Sequence, residues 1–81
     1  MRLGITALKS SDHYIERIEK HLLKKYPGMR FEVGAISERE TYIYCYPVEP
    51  TEDTFAITER AGNIVTDALV DAGLRFYVMA G

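Results

Sequence analysis

An α+β sandwich with the element order β-α-β-β-α-β is predicted for this sequence of 81 residues by three observations. Four short segments show alternating apolar and polar residues. Two longer segments carry apolar residues at helical spacing, and turn or capping residues separate most of them. The length confines the chain to one domain spanning residues 1–81, because so short a chain supports a single small core.

The first segment, "RLGITAL", alternates Leu3, Ile5 and Ala7 with Arg2, Gly4 and Thr6, which predicts a half-buried strand. In "KSSDH", Ser10 or Ser11 is placed to accept from free amides, and Asp12 suits the positive end of a helix dipole. A helix is therefore predicted to begin there. It continues through Ile15, Ile18, Leu22 and Tyr26, with a Glu16–Lys20 pair one turn apart, and ends at Pro27 and Gly28. "MRFEVGAIS" and "TYIYCYPV" then read as a hairpin through the polar run "SERE", a loop of about four residues, with Pro47 ending the pairing. The second helix enters at Pro50 and Thr51, buries Ile57, Ala61, Ile64, Val65, Ala68 and Ala72, and leaves at Gly73. "LRFYVMA" closes the chain as a fourth alternating strand. This order is the ferredoxin-like arrangement, with two helices on one face of a four-stranded antiparallel sheet. That architecture hosts many activities, so function has to be argued from particular residues.

The most informative segment is "TYIYCYPV", which places Tyr42, Tyr44 and Tyr46 on one face of a strand and Ile43 and Cys45 on the other. Ile43 and Cys45 need no hydrogen-bond partner, so they are assigned to the core beneath the helices. The phenols then lie on the open face, beside Arg2, Arg30, Arg75, Tyr77 and Met79. Tyrosine, methionine and arginine together mark a contact surface better than a merely solvated one. The predicted function is accordingly a small non-enzymatic binding or regulatory module, acting through this face by homodimerisation or by contact with another protein.

Single-stranded nucleic acid is the alternative for the same face, because RNA-recognition domains of this architecture stack bases on strand aromatics. It is disfavoured here: the formal net charge is −2, the first predicted strand has no aromatic residue, and the glycine-aromatic pattern of the longer RNA-binding motif is absent. A second, weaker candidate is an anion or small-ligand site at Lys9, Ser10, Ser11 and His13, ahead of the first helix. Phe55, Val70 and the mid-helix Gly62 could extend an interaction surface on the second helix.

No catalytic residue is nominated, since no nucleophile is matched with a base. No cofactor or metal is implied: His13 and His21 stand too far apart to chelate one ion, and the lone Cys45 lacks a partner. Cys45 therefore cannot form an internal disulfide, which fits a reducing compartment. Without a signal-peptide core or an apolar run of about 20 residues, a cytoplasmic protein without membrane contact is the expectation.

Overall fold

The computed structural model describes the backbone of residues 2–49 and 53–81 and, within those ranges, side chains from Ser11 onward. The order of elements is α1 (Arg2–Lys25), β1 (Arg30–Ser37), β2 (Glu40–Tyr46), α2 (Thr54–Ala72) and β3 (Arg75–Ala80). The ferredoxin-like expectation is thereby overturned. There are two helices and one three-stranded mixed sheet of order β1-β2-β3, not a four-stranded antiparallel sheet.

The error lies in the first segment. "RLGITAL" is not a strand but the opening turns of α1, continuous with the helix predicted to start after it. Its alternation is also satisfied by helical spacing, since Leu3 and Ala7 stand one turn apart, and a run this short does not separate the two periods. Extending an existing helix requires no new nucleus, whereas an isolated strand needs a neighbour. With that segment helical, β3 lies beside the second strand of the hairpin instead. β1 and β2 pair antiparallel, while β2 and β3 pair parallel across the α2 crossover.

The hairpin turn is tighter than the four-residue loop expected, because Ser37 already pairs with Glu40. Ser37 Oγ donates to Glu40 Oε1 at 3.0 Å, and the extra residue between Ala35 and Ser37 is absorbed as a bulge. α2 starts at the cap Asp53, whose carboxylate accepts from the amides of Phe55 at 3.0 Å and Ala56 at 3.4 Å. The predicted entry residues Pro50 and Thr51 lie outside the described residues. The exit falls at Gly73, as expected, with φ of 67° and its N–H donating to Leu69 O at 3.0 Å. A side chain in this left-handed conformation is strained, so Gly73→Ala is expected to cost about 1 kcal/mol. Urea denaturation of the variant beside the native chain checks this.

The helices run antiparallel on one face of the sheet, joined by an Arg17–Asp67 ion pair at 3.3 Å and by Arg60 Nε donating to His21 O at 3.5 Å. Between them and the sheet lie Tyr14, Ile18 and Leu22 of α1, Ile57, Ala61, Ile64 and Ala68 of α2, and Ile43, Cys45 and Phe76 of the strands. The predicted helical stripes are largely those buried. Tyr14 takes the place given to Ile15, which is half-buried, and Ala72 is exposed. On β1 the helical layer stops short: Phe31 is half-buried, but Val33 and Ala35, on the same side, are exposed.

Candidate binding face on the open side of the sheet

With both helices on one side, the opposite face of the sheet is covered by nothing among the described residues. Strand alternation places Tyr42, Tyr44 and Tyr46 of β2 on that side, because Ile43 and Cys45 between them are fully buried under the helices. The register sets Tyr42 beside Tyr77 and Tyr44 beside Met79 across the parallel pair. Toward β1 it sets Tyr42 beside Gly34, Tyr44 beside Glu32 and Tyr46 beside Arg30. Arg75 is the register neighbour of Glu40.

Each ring has an identifiable support. Tyr42 lies across Gly34, where a β-carbon would collide with the ring, so the glycine provides the space in which the ring rests. Tyr44 extends past β3 to Gly81 in the same way. Its ring also stacks at a tilt on Tyr46, with centroids 4.9 Å apart. Tyr46 Oη donates to Glu32 Oε1 at 2.8 Å, and Tyr77 Oη donates to Glu40 Oε2 at 3.0 Å. The bond to Glu32 is the main reason that the Tyr46 phenol is held above its ordinary pKa, with the nearby carboxylate charge adding to the effect. Tyr42 and Tyr44 are half-buried by these contacts, whereas Tyr46, Tyr77 and Met79 remain exposed.

The face is electrically balanced. Glu32 and Glu40 lie among the rings, with Arg30 and Arg75 at its margins. Glu40 accepts from Ser37 with one oxygen and from Tyr77 with the other. Arg2 does not join this set: its backbone belongs to the first turn of α1 rather than to the sheet, and its side chain lies outside the described residues. The supports Gly34 and Glu40 were not nominated from sequence. Glu40 shares the parity of the tyrosines, so its face was readable once the strand was extended by one turn residue. The role of Gly34 depended on the cross-strand register.

The weaker candidate site does not assemble. Lys9, Ser10, Ser11 and His13 lie within α1 and not ahead of it, so the backbone amides there belong to the helix rather than standing free at its start. The side chains of Lys9 and Ser10 lie outside the described residues, Ser11 is half-buried, and the exposed His13 packs its ring edge-on to Tyr14 at 5.3 Å. No group of three potential metal ligands occurs among the described residues. Cys45 is enclosed in the core, its thiol pushed up to about 11 by burial and then by the charge of Glu19. An open cleft of about 260 Å³ lies between the end of α1 and the start of α2, lined by Lys25, Tyr26, Ala56, Glu59 and Arg60. It brings together charged groups of both signs. No helix among the described residues is long and apolar enough to cross a membrane.

The chain matches no protein-family model, no curated protein and no solved structure at a significant level.

Proposed function

We propose that the chain is a non-enzymatic binding or regulatory module whose contact surface is the open sheet face, and that its partner there is a protein, a second copy or another chain. The observation that carries this reading is the in-register cluster of Tyr42, Tyr44, Tyr77 and Met79 on a sheet face with no covering layer among the described residues. Rings already held by Gly34, Glu32 and Glu40 lose little freedom on binding, and tyrosine supplies both apolar area and a polar edge. The charge balance argues for a protein over a nucleic acid. A phosphate backbone meeting this face would encounter Glu32 and Glu40 as well as Arg30 and Arg75, with no net attraction.

Tyr44 is the residue to test, being central on the central strand. Tyr44→Ala is expected to leave the circular dichroism spectrum unchanged and to weaken the contact at least about 30-fold, as loss of a central interface aromatic does. A photo-crosslinking amino acid in place of Tyr46 identifies what meets the face in cells, with the same group at exposed Thr66 of α2 as control. An adduct with protein from the sheet position alone supports the proposal. Adducts with nucleic acid, or with nothing, would overturn it.

A further inference from the structure

We propose that a second copy of this chain docks along the free edge of β3, joining two three-stranded sheets into one of six strands and packing α2 against its symmetry mate. The inference starts from the backbone. Arg75 N–H donates to Arg39 O at 2.7 Å and Gly81 N–H donates to Cys45 O at 3.2 Å, so the odd-numbered residues of this strand turn their amides toward β2. By alternation Phe76, Val78 and Ala80 turn theirs outward. β3 is last in the sheet order, and among the described residues no strand beyond it receives them.

Exposed strand edges are ordinarily blunted by charge, proline or a bulge. The other edge of this sheet is protected in that way: β1 carries Arg30 and Glu32 and is bulged between Ala35 and Ser37. β3 has none of these from Phe76 to Ala80. Its sequence is also self-complementary. Antiparallel pairing centred on Val78 sets it against the partner's Val78, Phe76 against the partner's Ala80, and Tyr77 against the partner's Met79. Large side chains meet smaller or flexible ones, no like charges oppose, and all three outward amides and carbonyls of each copy find partners.

α2 supports the same axis. Arg60 and Asp67 fix the side of α2 that faces α1, and Ile57, Ala61, Ile64 and Ala68 fix the side that faces the sheet. The flank turned away from α1, on the β3 side, therefore carries Phe55, Thr58, Gly62, Val65, Leu69 and Ala72, with no charge among them. Phe55 is 70% exposed and Leu69 45%. Gly62, a poor helix former, stands midway, and a β-carbon there would meet nothing within 4 Å. Nothing among the described residues requires a glycine at that place. Where two such helices pack at the short end of the usual spacing of about 8–10 Å, a glycine at this place permits the approach. This contact leaves the tyrosine face free and extends it, Tyr42 and Tyr77 continuing into the partner's Met79 and Tyr44.

The test is light scattering over a concentration series, combined with amide hydrogen exchange, on the native chain, Gly62→Lys and Tyr44→Ala. Lysine is a better helix former than glycine and has open space at this position, so the fold is retained while two like charges are brought together across the axis. The native chain is expected to reach twice the monomer mass. The Phe76, Val78 and Ala80 amides should then exchange at least tenfold more slowly in concentrated than in dilute samples. Gly62→Lys should remain monomeric and lose that protection, while Tyr44→Ala still dimerises. A native monomer at every concentration would overturn the proposal, as would a dimer whose outward β3 amides exchange freely. Dimerisation abolished by Tyr44→Ala but untouched by Gly62→Lys would assign self-association to the open face instead.

Discussion

Ile43→Ala is expected to lower the unfolding free energy by about 3 kcal/mol, whereas Val33→Ala, one strand away in the same register row, should lower it by less than about 1 kcal/mol. The two positions are cross-strand neighbours on the helix-facing side of the sheet. Ile43 has no exposed surface and sits under both helices on the central strand, while Val33 is 41% exposed beyond the helical layer. Removing three carbons at Ile43 leaves a cavity that Ile18, Ile57 and Phe76 cannot fill without leaving their own contacts, so the transfer and cavity costs add. At Val33 water enters at once and no cavity forms. For a domain of this size, with a total stability of about 4–12 kcal/mol, the first loss removes a large part of the margin. Urea denaturation of the three proteins measures both values. Equal losses would mean that the helices cover β1 as fully as β2.

Cys45 should be nearly silent toward thiol reagents until the chain unfolds. Its side chain has no exposed surface, and burial, followed by the Glu19 charge, raises its pKa from 9.0 to about 11. The two units correspond to about a hundredfold less thiolate at pH 8, before steric exclusion is counted. Labelling at pH 8 by a chromogenic disulfide is therefore expected to proceed below about 1% of the rate in denaturant. The same shift sets a pH dependence. Because the folded state holds this proton more tightly, the associated stability is fully present below the unfolded pKa near 9 and is lost as pH rises through about 11. The urea midpoint of the native chain should fall across that window, and that of Cys45→Ser should fall less. Rapid labelling at pH 8 without denaturant would contradict the buried placement.

Local rules made much of this molecule legible. The Pro27–Gly28 break, Gly73 beyond α2, the helical stripe through Ile18 and Leu22, and the alternation that separates Tyr42, Tyr44 and Tyr46 from Ile43 and Cys45 all follow from residue type and spacing. Capping, turn conformation and side-chain period operate within a few residues, so the sequence carries them directly. The parity of β2 was enough to separate its phenols from the core residues between them.

What the sequence left undecided is what long-range pairing controls. "RLGITAL" satisfies both periods over its short length, and its helical state follows from continuity with the helix after it. Once it is helical, the partner of β3 changes, the sheet becomes mixed, Arg2 leaves the tyrosine face, and the Lys9–His13 segment has no free helix start to offer an anion. Ser10, Ser11 and Asp12 are good capping residues in isolation, yet the chain places them inside α1 and gives a cap to Asp53. The sequence determined which residues share a face of each later element; the tertiary structure alone decided which elements stand side by side. Side-chain period is a property of one segment, whereas strand order and register depend on contacts between residues tens of positions apart.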